Sequence, residues 1–200
     1  MALSHKMPSL ENVTEDEKKV MEELKRRTID DLTPRMREDE SLFYRFCKAR
    51  DFDLNEAETM LRKHITWAKE MKIDTFLTDY KPPDVVAKYF SYEYLCNDKE
   101  GRVVMYVDFG NLDLKGLWLA AKPSDGIKTA MFYGERDIKQ LHQNNKKLGK
   151  SFTKVAYLYN LENLSFANAT NRKTVELLMD HYKRYLDNYP ERMKYCYIIN

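Results

Sequence analysis

The sequence predicts an α/β protein in which a helical N-terminal subdomain is followed by a mostly parallel β-sheet with helical crossovers. Three observations carry that prediction. Up to about residue 90, apolar residues recur at three- and four-residue spacings behind capping-box starts, the period of amphipathic helices. From residue 102 onward, short β-branched and aromatic runs (RVVMYVDF, KVAYLYN, YCYIIN) alternate with long helical patterns. A β-α-β-α-β order calls for parallel strands joined by right-handed crossovers.

The elements follow in order. Residues 1–13 read as a tail. Thr14-Glu15-Asp16-Glu17 is a capping box that starts a helix with Val20, Met21 and Leu24 on one face, and Thr33-Pro34 is expected to end it. A second helix carries Leu42, Phe43, Phe46 and Ala49. A third, capped by Asp53, carries Ala57, Met60, Leu61, His64, Ile65 and Ala68. A short helix near Ile73–Leu77 leads to Tyr80-Lys81-Pro82-Pro83, a rigid connector that separates a helical subdomain (14–80) from the sheet-bearing domain (81–200). Another helix runs through Val85, Val86, Tyr89 and Phe90, and Asn97–Gly101 is a polar turn before the first strand. Residues 111–123 read as a loop. A long helix spans about Ser124 to Lys147, with Ile127, Met131, Ile138 and Leu141 inward. Asn171–Asn188 is a helix whose apolar side holds Val175, Leu178, Met179, Tyr182, Tyr185 and Leu186. The last strand breaks off without a closing turn, so the pattern reads as a domain whose C-terminal part lies beyond residue 200.

Composition excludes several functions. The net charge of +2 lacks the basic excess of a nucleic-acid-wrapping protein. Cys47, Cys96 and Cys196 have no C-x-x-C spacing and read as reduced thiols of a cytoplasmic protein, Cys47 and Cys196 as packing groups. His5, His64, His142 and His181 are isolated, so no metal site is expected. No apolar run approaches the roughly 20 residues that span a bilayer. Neither G-x-G-x-x-G, G-x-x-x-x-G-K-[ST] nor G-x-S-x-G occurs, and His64 lies on an apolar stripe as a core histidine would. No catalytic residue and no cofactor is expected. Tyr106, Tyr157 and Tyr159 are more informative. A tyrosine in a parallel sheet needs room and a hydroxyl partner, so these residues either pack under the helices or line a cavity.

Four stretches, in order, resemble the CRAL-TRIO lipid-transfer family. Residues 39–70 (DESLFYRFCKARDFDLNEAETMLRKHITWAKE) match its R-F-x-x-A-R-x-F-D turn and M-L-x-x-H-x-x-W helix. Residues 97–117 match the D-x-x-G-R strand and the loop ending in K-G-L. Asn160–Ser165 matches D-x-x-G-[LI]-S, and residues 188–200 (NYPERMKYCYIIN) match the N-Y-P-E-R…Y-I-I-N signature. Within the family the chain is most similar to the metazoan subgroup of supernatant protein factor and tocopherol-associated proteins. The resemblance implies one hydrophobic lipid-like ligand (a phospholipid, phosphoinositide, tocopherol, retinoid or sterol precursor) in an internal pocket, exchanged during transient contact with a membrane surface. It also implies a cytoplasmic monomer, and a gate helix and further strands after Y-I-I-N; relatives in the subgroup often carry a GOLD module beyond them.

Carried over by position, the pocket residues are Tyr94, Val103, Met105, Val107, Val155, Tyr157 and Tyr159. Arg50 and Glu191 match the phosphoinositide headgroup region, or else buttress the helical subdomain against the NYPER turn. Several positions depart from the family pattern: Val103 stands for proline after Gly101-Arg102, Met105 for an aromatic residue, Asp51 for a basic residue, Asn160 for aspartate. Val155 and Tyr157 occupy the polar positions of choline-lipid binders. These changes point to a bulkier or more apolar ligand than phosphatidylinositol or phosphatidylcholine. The rival readings are a regulatory interaction module whose pocket is filled by side chains, and an α/β enzyme with a polar cluster near Asp108 and Asn160.

Overall fold

A computed structural model describes residues 13–166 and 170–200; most of the tail, residues 1–12, lies outside the described residues. The chain opens with α1 (Glu15–Thr28). Its capping box is fully formed: Thr14 Oγ1 accepts from the Glu17 N–H at 3.2 Å, and the Glu17 carboxylate accepts from the Thr14 N–H at 2.8 Å. We expect Thr14→Ala to cost about 1 kcal/mol and to lower Tm by about 2–4 °C, which a thermal melt followed by circular dichroism would read. An unchanged Tm would show that this cap contributes nothing.

Pro34 does not end the first helix, as the sequence pattern suggested. After the 3-10 turn at Ile29–Asp31, Thr33 caps a new short helix, α2 (Pro34–Arg37), with Pro34 in its first turn. Proline fits there because the first helical N–H groups have no intrahelical acceptor. Next come α3 (Leu42–Lys48), α4 (Leu54–Glu70, capped by Asp53), α5 (Phe76–Asp79) and α6 (Asp84–Tyr89). Asp51 and Phe52 turn the chain between α3 and α4 with φ of 48° and 60°, and the Phe52 N–H donates to Cys47 O at 2.9 Å. The left-handed pair closes α3 and turns Phe52 onto the helical core, where its ring meets Tyr44 edge-on.

That core joins Leu24, Leu42, Phe46, Leu61, Ile65 and Phe76, and it extends across the subdomain boundary to Met131. Burying each such side chain stabilises the fold by about 1.5–3 kcal/mol. His64 sits in this layer as expected, between the Phe46 and Trp67 rings at centroid distances of 5.1 and 5.5 Å. Burial pushes its pKa down to about 4, so it is a neutral packing group.

The second half contains two elements that the sequence reading missed. The first is β1 (Tyr92–Asn97), which pairs antiparallel with β2 (Val103–Asp108) across the Asn97–Gly101 turn, where Gly101 has φ +97°. The second is α7 (Leu114–Ala120), within the stretch read as loop; Asp113 caps it by accepting from the Gly116 N–H at 2.8 Å. After α8 (Pro123–Leu148) come β3 (Val155–Asn160), α9 (Arg172–Asn188) and β4 (Met193–Ile199). The four-stranded sheet runs β1-β2-β3-β4, and β2, β3 and β4 are parallel. Both crossover helices reach the sheet face that carries Tyr157, whose hydroxyl meets Asp137 of α8 and Tyr185 of α9.

Burial departs from expectation at two places. Cys196 is exposed, because its strand β4 forms one margin of the sheet, whereas Cys47 is buried and its thiol pKa is pushed up to about 12. The side of α9 expected to face inward leaves Val175, Met179, Tyr182 and Leu186 at 41–63% exposure.

Candidate functional site

Parallel register puts Met105 beside Tyr157 and Val107 beside Tyr159, so the alternate residues Val103, Met105, Val107, Val155, Tyr157 and Tyr159 share one face. The structure brings these sequence-predicted residues together. Val103, Met105, Val155 and Tyr157 are buried in one cluster with Leu141 of α8, flanked by Phe152 and Met193, and Val107 is also buried. Tyr159 is half-buried at the cluster's border, its ring 6.4 Å from those of Tyr157 and Phe109. Tyr94 pairs with Met105 but is 45% exposed, because β1 is the sheet's outer strand; its hydroxyl donates to Asn97.

This apolar face has one polar pole. Asp137 of α8, fully buried, accepts from the hydroxyls of Tyr92 and Tyr157, and Tyr157 also meets the Tyr185 hydroxyl at 3.3 Å. Burial pushes the Asp137 carboxyl up to about 7, against the pull of the Tyr92 hydrogen bond and the Arg136 charge. Its Oδ1 has no hydrogen-bond partner among the described residues. Glu135 is also buried, accepts from the Tyr189 hydroxyl at 2.6 Å and pairs with Arg35; burial raises its pKa too. Sequence reasoning missed both acids, although a signal was there. Asp137 lies four residues before Leu141 and Glu135 four after Met131, so each falls on the inward stripe of its helix.

Arg50 and Glu191 are not paired with each other. Arg50 donates to the Ala49 carbonyl and borders a cleft of about 250 Å³ with Lys63, Trp67 and Asp187. Glu191, at φ 57°, pairs with Lys154 at 2.5 Å. A neighbouring set joins the helical subdomain to the NYPER turn. Asp39 pairs with Arg45 at 2.6 Å and with Arg192 at 2.5 Å. Arg45 also donates to the Pro190 carbonyl and Arg192 to the Thr153 carbonyl. Burial works to raise the Asp39 pKa, but the Arg45 and Arg192 charges prevail and hold it well below the usual carboxylate range. Burial and the Arg45 charge lower Arg192 to about 10.

At the carboxyl ends of the strands, Asn160 donates to the Tyr106 hydroxyl and to Asp108, and accepts from Asn200. Gly110 lies so close to the following loop that a Cβ there would sit 2.0 Å from the Glu162 carbonyl oxygen. These groups hydrogen-bond one another and include no Ser, Thr, Cys, Lys or His side chain. Among the described residues, no group of three or more His, Cys, Asp or Glu could hold a metal ion. No helix of the described residues is long and apolar enough to cross a membrane.

Comparison with known proteins adds independent findings. Residues 87–200 match the CRAL/TRIO domain, and residues 3–63 match the CRAL/TRIO N-terminal domain. The protein named "Protein real-time" from Aedes aegypti is 34% identical over 149 residues, which is 74% of this chain and 23% of that protein. The Anopheles gambiae protein of the same name is 33% identical over 149 residues, 22% of its length. The chain therefore spans under a quarter of these relatives. The crystal structure of Sfh5 superposes with a TM-score of 0.72 at 15% identity, covering 92% of this chain and 70% of that one, a likeness of fold.

Proposed function

The chain belongs to the CRAL-TRIO family, whose members generally bind and transfer lipids, and from that premise we propose that it binds one hydrophobic lipid-like molecule and delivers it to or presents it at membranes. The observation that carries the proposal is the uncovered apolar surface beside the sheet. Met179 of α9 and Ile198 of β4 are 63% and 66% exposed, and Ile198 pairs in register with Tyr159. A side chain of that size left in water forgoes about 1.5–3 kcal/mol of burial, which an acyl or isoprenoid chain lying over it would supply.

In this reading Val103, Met105, Val107, Val155 and Tyr157 support the floor, the ligand's chain lies over Tyr159 and Ile198, and Tyr94 stands at the rim. Arg50 and Glu191 serve the headgroup end when the ligand carries phosphate. The chain acts in the cytoplasm as a monomer, makes transient membrane contact, takes no part in nucleic-acid binding and performs no catalysis. The Asp51 and Val155 substitutions favour a bulkier, more apolar ligand than phosphatidylinositol.

The test is retention of lipid. Chain incubated with mixed vesicles of phosphatidylcholine, phosphatidylinositol and tocopherol, then re-isolated, should carry one lipid molecule by native mass spectrometry. Met179→Glu and Ile198→Glu should lower occupancy about tenfold without changing the circular dichroism spectrum. Protein that retains no lipid would refute the carrier reading, and phosphatidylinositol as the main occupant would refute the ligand preference.

A second reading is a regulatory interaction module with a closed pocket. It is favoured by Tyr157, which is 5% exposed and fixed by two hydrogen-bond partners inside a filled cluster. Vesicle-to-vesicle transfer separates the two, since a closed module moves no lipid.

A further inference from the structure

At the β1 margin of the sheet's apolar face, where Tyr92 packs against the cluster, a concave site of about 460 Å³ opens outward between the segment joining α6 to β1 and α8. That volume falls in the range of small-molecule sites. Its back wall is a run of near-parallel rings. Tyr133 stacks on Tyr92 at 4.7 Å and 17° and on Phe90 at 5.6 Å and 14°. Its polar groups are chiefly cations: Lys81, Lys88 and Arg136 against one carboxylate, Glu93.

The cations differ in how they are held. Lys81 pairs with Asp84 on the open surface at 3.1 Å. Lys88 and Arg136 have no carboxylate within ion-pair distance among the described residues, and Lys88 rests beside the Tyr89 ring at 5.1 Å. Arg136 is fixed in place. Its guanidinium lies 4.7 Å from the Tyr133 centroid and 5.5 Å from that of Tyr92, and one Nη donates to the Tyr92 carbonyl at 2.9 Å. A guanidinium held by a ring stack and one carbonyl keeps its remaining N–H donors in a fixed direction at little further entropic cost. The same Tyr92 reaches inward to Asp137, which anchors the wall from behind.

We propose that this groove is a phosphate-binding site, distinct from the apolar site on the sheet, that takes a phosphate monoester dianion. Arg136 supplies the directed donors, Lys88 and Lys81 supply charge, and Phe90 and Pro82 take the carbon part of the ester. The phosphate comes either from a lipid headgroup at a membrane surface or from a soluble phosphate ester. The site does not depend on the carrier reading, since it shares none of the residues proposed to hold the lipid chain.

The experiment titrates the whole chain with glycerol 3-phosphate, with phosphatidylcholine vesicles containing phosphatidic acid, and with a glutamate-rich peptide as a third probe. Lys88→Gln and Arg136→Gln should each weaken phosphate binding about tenfold, whereas Lys150→Gln, on an exposed residue beyond the end of α8, should leave it unchanged. Lys88→Gln breaks no hydrogen bond among the described residues, so a folding defect in Arg136→Gln does not rescue or sink the proposal. Binding of glycerol 3-phosphate with this variant pattern supports a soluble source; binding of the phosphatidic acid vesicles alone, with the same pattern, supports a lipid source. No phosphate binding, binding indifferent to both substitutions, or binding of the acidic peptide alone would overturn the proposal.

Discussion

Replacing Asp39 with alanine is expected to destabilise the fold by about 3–5 kcal/mol, the scale for stranding a buried charge. Asp39 is the anion shared by Arg45 and Arg192, whose side chains are 4% and 6% exposed. Without it, two like charges face each other where water cannot screen them. The Arg192 Nε already lacks a partner among the described residues. The loss should also weaken the junction of the two subdomains, because Asp39 of the helical subdomain pairs with Arg192 of the sheet-bearing domain, leaving the hydrogen bond from Arg45 to the Pro190 carbonyl to hold it. The pH dependence follows from the depressed carboxyl. Its folded pKa lies below the unfolded value of about 3.9, so the stabilisation is present above that pH and is lost as pH falls through the folded pKa. Urea unfolding at neutral pH measures the effect, and a loss under about 1 kcal/mol would mean that the arginines are held by other groups.

Asp137→Asn should act in the opposite direction on the alkaline side. The Asp137 pKa is raised in the folded state to about 7, above an unfolded value of about 3.9. Its contribution is therefore fully present below about pH 4 and is lost as pH rises toward 7. Complete ionisation sets an upper bound of about 4 kcal/mol on that loss. Asparagine keeps an oxygen for the Tyr92 and Tyr157 hydroxyls and cannot ionise, so the variant should gain roughly 1–3 kcal/mol over the wild type near pH 9 and little or nothing near pH 4. Urea midpoints at both pH values test this. An equal shift at both would mean that packing, not the buried charge, governs the site.

Legibility in the sequence followed the range of the interactions. The capping signals at Thr14 and Asp53, the stripe on α4, the β-branched and aromatic run of β2 and the alternating aromatic run of β3 were legible because each is decided within a few residues. Pro34 was misread because proline stops one helix or starts the next with the same local chemistry, and only the Thr33 cap distinguishes the two. β1 was missed because Tyr92-Glu93-Tyr94-Leu95-Cys96-Asn97 carries no β-branched residue; its partner β2 makes it a strand. The candidate site divided in the same way. Alternation placed the strand positions on one face, but it gave no sign that Asp137 would meet Tyr92 and Tyr157, residues 45 and 20 positions away.

By itself the sequence determined the α/β order, the family signature and the set of residues that share the sheet's inner face, because periodicity and short motifs are local. The tertiary structure alone decided three things: which acids are buried, which apolar side of α9 stays exposed, and that Asp39 pairs with Arg192. Each depends on two distant segments meeting, and that meeting sets solvent access and therefore the strength of every charge and apolar contact between them.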